Sequence, residues 1–278
     1  MRAHNKLVNT VVIWSTLAVL LVLALFPLYW IINTSFKPDS EIYIKDPTFY
    51  PHEFTLKGYH ELFYELGFTL YMRNSLAVSV FVSAGSIFLA MLASYAIARL
   101  RFGGRRLSAR TIFYSYLMPK TVMYIPLYML AAQLGVTNSI RSLIIIYPTV
   151  IIPYATWMLI TYFKSIPMEI EESAIIDGCS RVRSMFVIVF PLASPGIIAT
   201  LIFSFTFCWN EYLYALVLIT KNAQKTIPLG LSDLVVDDLF NWGPLMGGSF
   251  IASIPVVVLY AIASKFVTAG LTAGSVKQ

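Results

Sequence analysis

Six stretches of this chain are each long and apolar enough to cross a bilayer, and no other feature narrows its possible folds so far. They run over residues 11–32, 75–98, 111–133, 143–163, 195–220 and 247–269. A helix needs about 20 apolar residues to cross a hydrocarbon core of roughly 30 Å, because each residue advances about 1.5 Å. Lipid offers the backbone no hydrogen-bonding partner, so each stretch must be helical or part of a closed barrel. Long runs without alternation exclude the barrel. The expectation is an all-α integral membrane protein with six transmembrane helices, organised as one domain over residues 1–278.

Composition supports lipid as the main solvent. The chain is 58% hydrophobic and 12% charged, about half the charged share of soluble domains, too little to coat a water-soluble enzyme of this length. The net charge of +6 does not point to nucleic acid, because the basic residues lie in short strips between apolar runs. The strip RLRFGGRRLSAR at 99–110 is the strongest, and counting Lys and Arg on alternate sides puts both termini in the cytoplasm. The first run follows Arg2 and Lys6 as a signal peptide would. It exceeds a usual signal core and has no small-residue cleavage site after it, so it is expected to stay attached.

Chemistry of its own is not expected in this chain. Cys179 and Cys208 are too far apart in kind and position for a disulfide framework or a zinc site, and His4, His52 and His60 all fall outside the apolar runs. No phosphate-cradling glycine loop, zinc-protease helix or calcium loop occurs. The reading therefore has no catalytic residue, no metal and no cofactor in the chain, and any energy drawn from nucleotide must enter through another subunit.

Two outer segments carry some organisation. In 33–73 the stretch GYHELFYEL repeats Tyr59, Leu62, Phe63 and Leu66 at helical spacing, which predicts a piece lying along the membrane surface. The segment 221–246, with Asp233, Asp237, Asp238 and Trp242, is long enough to fold over something, and reads either as a solvated loop or as a docking element.

A few polar groups lie inside the runs. Glu211, beside Trp209 and Asn210, falls about 24 Å above Pro195 on a continuous helix, a height that suits a translocation path or a helix–helix contact. Lys120 lies about 14 Å above Thr111 on the same reckoning, too far below Glu211 for a direct ion pair without tilt. It is expected to snorkel or to meet carbonyls freed by Pro119 and Pro126, with substrate contact as the other use. Pro148 and Pro153 should bend the fourth run, and Trp157 within it can pack between helices or stack on a sugar. The candidate path residues are thus Trp209, Asn210, Glu211, Trp157 and Lys120.

The inner connector KSIPMEIEESAIIDGCSRVRSMFVIVFP, residues 164–191, has the makings of its own short helix. Pro167 suits a first helical position, Glu169, Glu171 and Glu172 suit the positive end of the dipole, and Gly178 suits the stop. Ile170, Ala174 and Gly178 share a narrow stripe while Glu169 and Glu172 point away. A helix of about three turns is not stable alone in water, so that stripe needs a surface to bury against.

Glu172, Ser173 and Ala174, then Gly178 after three residues, then Ile188 and Pro191 resemble the EAA loop of ABC-importer permeases, which reads E-A-A-x3-G-x9-I-x-L-P. The chain departs at Ser173 and Phe190, both mild changes. SFKP at 35–38, NSL at 74–76, SYAIARLRFGG at 94–104, IPLY at 125–128, WNEY at 209–212 and GLTAGSVK at 270–277 extend the likeness to the carbohydrate, maltose-type branch. The resemblance implies a type I ABC importer permease fold in a bacterial or archaeal cytoplasmic membrane. It implies a second, related permease subunit, two cytoplasmic ATPases that hold ATP and Mg, and an extracytoplasmic sugar-binding protein. It also assigns Glu172, Ser173, Ala174, Asp177, Gly178, Ile188 and Pro191 to coupling with an ATPase, and the tail from Gly270 to a place between the ATPases. The competing class is an ion-coupled secondary carrier using Lys120 and Glu211, but paired broken spans in two symmetric halves are not evident.

Overall fold

The computed structural model describes residues 2–236 and 239–275. Asp237, Asp238 and the last three residues of the tail lie outside the described residues. Apart from a two-residue antiparallel hairpin, Val235–Val236 with Leu239–Phe240, the regular structure is helical.

The principal helices are α1 (Arg2–Ser35), α2 (Phe68–Arg99), α3 (Arg105–Leu117), α4 (Lys120–Gln133), α5 (Ile140–Ser165), α6 (Met168–Ile176), α7 (Arg181–Leu192), α8 (Ser194–Asn210) and α9 (Trp242–Ser275). Four of them, α1, α2, α5 and α9, are long and apolar enough to cross a membrane, and a fifth crossing arises if the pair α7 and α8, bent by 76°, is one span.

Two expected spans differ from single helices. The run 111–133 is split into α3 and α4 at Met118, which is extended at φ −68°, ψ 129°. Pro119 causes this: its ring disfavours helical backbone in the residue before it, and it has no amide for the preceding turn. The run 195–220 also ends early. Glu211 is extended at φ −71°, ψ 123°, and a separate short helix, Leu213–Leu218, follows. Glu211 is therefore a helix-end residue and not a group in mid-helix.

The contacts divide the chain into two compact units, residues 1–68 with 231–254, and residues 69–230 with 255–278. In the first, the connector after α1 folds back on itself. The buried Lys37 ammonium lies 5.3 Å from the Trp30 ring centroid and donates to the Thr48 carbonyl. Glu41 accepts from the Thr48 hydroxyl at 2.7 Å and from the His52 amide at 3.0 Å.

The stripe expected on the membrane surface is covered on one side by the chain itself. Leu62 is buried beside Gly248, and a Cβ on Gly58 would stand 2.7 Å from the Gly243 carbonyl carbon, so only glycine permits that approach. Phe63 and Tyr64 remain exposed.

In the second unit, α2, α5 and α8 enclose a core containing Val78, Tyr95, Tyr147, Leu159, Phe163 and Phe190. The Ser94 hydroxyl donates to the Thr156 carbonyl at 3.0 Å and holds α2 to α5. Gly196 lies so close to Tyr162 that an added Cβ would meet the ring at 2.3 Å. The far end of this unit is tied by side-chain amides: Asn74 donates to the Ala223 and Lys225 carbonyls, both at 3.0 Å, and Asn138 accepts from the Thr220 amide at 2.8 Å.

Candidate functional site

The connector 164–191 forms two helices at an angle set by one glycine. Pro167 is the N-cap of α6, one position before the expected first helical place. At the other end Gly178 adopts φ 88°, its amide reaches the Ile175 carbonyl at 3.1 Å, and the Cys179 amide reaches the Ala174 carbonyl at 2.9 Å. This pair of bonds is a Schellman closure, which requires a left-handed residue at the glycine position. Ser180 then caps α7 by accepting from the Arg183 amide at 3.3 Å. Ile188 lies in a π-type turn, Met185–Val189, which is separated from Pro191 by Phe190. A proline lacks the amide of the regular ladder and its ring crowds the carbonyl four residues back, so the wider turn relieves both.

The inward face of α6 is carried by a residue whose only role in the sequence reading is at the positive end of the helix dipole. Glu171 is buried, and its carboxylate accepts from the Tyr95 hydroxyl and faces the Arg99 Nε at 3.6 Å. Arg99 is buried as well and donates through Nη2 to the Ile166 carbonyl at 2.8 Å, at the end of α5. One acid thus fixes α6 to the end of α2, and one guanidinium fixes the same end to α5. Tyr95 and Arg99 both belong to the SYAIARLRFGG segment, so the signal was present, but nothing local links it to residue 171.

The outward face is apolar and open. Met168, Ile170, Ile175 and Ile176 are exposed, Ile176 at 85%, as are Val182, Phe186 and Val187 of α7. Glu172, Ser173, Asp177, Gly178 and Pro191 are exposed too, while Ala174 and Ile188 are half-buried. Ile170 of the expected stripe points to solvent, whereas the buried side runs through Glu171 and Ala174. On α6, which lies outside the apolar spans, exposed Met168, Ile170, Ile175 and Ile176 are costly in water and fit a surface that another protein covers.

The second feature is a cavity of about 390 Å³ enclosed by residues of α3, α4, α5, α8 and the short helix Leu213–Leu218. Met118 and Lys120, on either side of the break at Pro119, contribute to one wall of the cavity, and Thr149, Val150, Ile151 and Tyr154 of α5 to another. Lys120 lines it, with its ammonium 4.3 Å from the Phe207 ring centroid. Trp157, Trp209, Asn210 and Glu211 do not line it. Trp157 packs on Phe113 at 4.5 Å, Trp209 is buried and stacked on Phe205 at 5.6 Å, and Asn210 is exposed. The Glu211 carboxylate accepts from the Tyr214 amide at 3.0 Å, as a helix-capping side chain does. Among the described residues no group of acidic, histidine or cysteine side chains could hold a metal ion.

The family described as binding-protein-dependent transport system inner membrane component matches residues 86–269, a span that contains both the connector and the cavity. The chain is similar to the inner membrane ABC transporter permease protein YcjP of Escherichia coli strain K12, with 36% identity over 279 residues and full coverage of both chains. It is also similar to the trehalose/maltose transport system permease protein MalG of Thermococcus litoralis, with 30% identity over 264 residues covering 92% of each. Among solved structures, a chain of a bacterial ABC transporter involved in alginate import superposes with a TM-score of 0.79 at 21% identity, covering 94% of this chain and 97% of that one. A connector built as an acid-anchored, glycine-closed helix, set among apolar spans and matched over the full chain by an ABC transporter permease, places the chain in the family of binding-protein-dependent transport system inner membrane components.

Proposed function

We propose that this chain is one of two permease subunits of an ATP-driven sugar importer and that α6 is its coupling helix. In this reading the chain spans the membrane six times with both termini in the cytoplasm, α3 with α4 and α7 with α8 each serving as one broken crossing. Residues 1–278 act as one transmembrane domain. The second permease is a related chain, the two ATPases hold ATP and Mg, and an external binding protein delivers the sugar. No bond is made or broken in this subunit.

The observation that carries the proposal is the two-sided construction of α6. Its inner face is fixed to α2 by Glu171, and its outer face offers Ile170, Ile175 and Ile176, which none of the described residues covers. A push on that face is delivered to the ends of α2 and α5 because Arg99 bridges both. Closure of the ATPases on ATP would move two such helices together and open the path outward; hydrolysis would reverse it, an alternating access by rigid-body motion. The exposed Glu172, Ser173, Asp177 and Gly178 would line the ATPase contact with Ala174, while Ile188 and Pro191 steer α7 into α8. The ion-coupled alternative is not favoured, because Glu211 is engaged at a helix start, accepting from the Tyr214 amide, and does not line the cavity that holds Lys120.

The test is a cysteine at Ile176 in a Cys179→Ser background of the assembled importer. It is expected to crosslink to an ATPase subunit, with the crosslinked complex no longer hydrolysing ATP in response to the binding protein. Crosslinking only to external reagents, or unaltered stimulation after quantitative crosslinking to the ATPase, would refute the role.

A further inference from the structure

We infer that the cavity between α3, α4, α5 and α8 takes a sugar bearing one anionic group, a carboxylate, sulfonate or phosphate ester, and that Lys120 selects for it. The inference rests on the permease reading and adds the substrate class to it. The volume of about 390 Å³ falls within the roughly 300–1,000 Å³ of small-molecule sites. Three features of the wall decide the chemistry.

The first is charge. Lys120 is the one charged residue lining the cavity, and among the described residues no carboxylate lies within ion-pairing distance of it. It stands in the middle of the apolar run 111–133, where an ammonium is costly and is retained for use. Its contact with the Phe207 face orients the ammonium without neutralising it. An entering anion would complete the pair.

The second is aromatic surface. Tyr154 packs against Phe203 at 4.1 Å and against Tyr116 at 5.8 Å, and all three line the cavity. Such rings match the C–H faces of a pyranose. The third is acceptors for sugar hydroxyls. The Thr149 and Ser115 hydroxyls each donate to their own helix, at 2.6 and 2.9 Å, which leaves their lone pairs free to accept. Pro153 removes the amide that would bond the Thr149 carbonyl, adding another acceptor at the same wall. Rings, acceptors and a single cation suit a polyhydroxylated ring with one negative substituent.

The experiment is amine labelling of the assembled importer in phosphatidylcholine nanodiscs. A small acylating reagent is applied with glucose, glucuronate or glucose 6-phosphate present, and acylation of Lys120 is followed by mass spectrometry with the exposed Lys221 as control. The acidic sugars should slow Lys120 acylation about tenfold relative to glucose, as a charge-assisted contact predicts, and leave Lys221 unchanged. Equal protection by glucose, or protection by none of the three, overturns the inference. So does protection that appears only when phosphatidylglycerol is added, since the anion would then be a lipid headgroup. In each of these cases ATPase stimulation by the binding protein would leave the permease reading standing, and its absence in the unmodified importer would remove that reading instead.

Discussion

Arg99 Nε and Glu171 Oε2 lie 3.6 Å apart with both side chains buried, so the short helix α6 is tied to the end of α2 by a charge pair shielded from water. Removing the acid leaves the guanidinium buried against a carbonyl alone, and breaking such a pair from one side costs on the order of 3–5 kcal/mol. Glu171→Ala should lower the thermal midpoint of the purified complex and speed amide exchange in residues 168–176. Glu171→Gln, which keeps an acceptor for Tyr95, should do so less. Equal loss in the two variants would show that the Tyr95 hydrogen bond adds nothing, and a Glu171→Gln variant as stable as wild type would show that the charge is immaterial.

Gly178 closes α6 with φ 88°, and a Cβ added there meets none of the described residues within 4 Å. The intrinsic cost of a substitution is therefore conformational, about 1–2 kcal/mol for a left-handed residue with a side chain. Asparagine tolerates that region and valine does not. Uptake by cells should fall modestly in Gly178→Asn and severely in Gly178→Val, at equal membrane abundance on immunoblot. If asparagine is as damaging as valine, contact with the ATPase groove and not backbone strain limits the position.

Gly196 faces the Tyr162 ring at a distance that leaves no room for a methyl group. Overpacking of this sort costs about 1–3 kcal/mol. Gly196→Ala should shorten the half-life of the detergent-solubilised protein at elevated temperature, and Tyr162→Leu in the same chain should recover most of the loss. Failure of the second change to rescue the first would mean that the close approach is not what the glycine serves.

Glu41 is held at a pKa of about 2, below its ordinary 4.5, chiefly because the Thr48 hydroxyl donates to its charged form, with further donation from the His52 amide and ring. A depressed carboxyl pKa contributes stability that is present above about 4.5 and is lost as pH falls through about 2. Amide exchange in residues 41–52 should therefore accelerate across that window, and in Glu41→Gln it should already be fast at neutral pH and independent of acid. A variant that kept the wild-type acid profile would assign the transition to another group.

The sequence and the structure agree most closely where a signal is local. Apolar runs, the left-handed Gly178 and the capping character of the connector all act through neighbours within a turn; the helix stop at Gly178 and the cap at Pro167 fall within a residue of their expected places, while the helices that carry the apolar runs extend several residues beyond them or break inside them. Pro119 was equally legible, but reading it as freeing a carbonyl underweighted the residue before it: Met118 leaves the helix altogether and divides the run into two helices. Glu171 was opaque for a different reason. Helical spacing put Glu169 and Glu172 outward and left Glu171 between them, and its partner Tyr95 lies 76 residues upstream. Pairing over that separation leaves no periodic trace in a single sequence. Glu211 was misplaced because hydropathy counts a run as continuous even where a side chain caps a new helix three residues later.

The Asn241 amide reaches the Glu61 carboxylate across 180 residues of chain, beside the place where Gly58 and Gly243 meet. Ribosomes make the earlier partner long before the later one. The connector after α1 must wait, with Leu62 uncovered, until the start of α9 has emerged, and contacts so distant along a chain form slowly. Truncated products ending before residue 241 would carry that bare surface permanently, which gives membrane quality control a means of telling unfinished copies from finished ones.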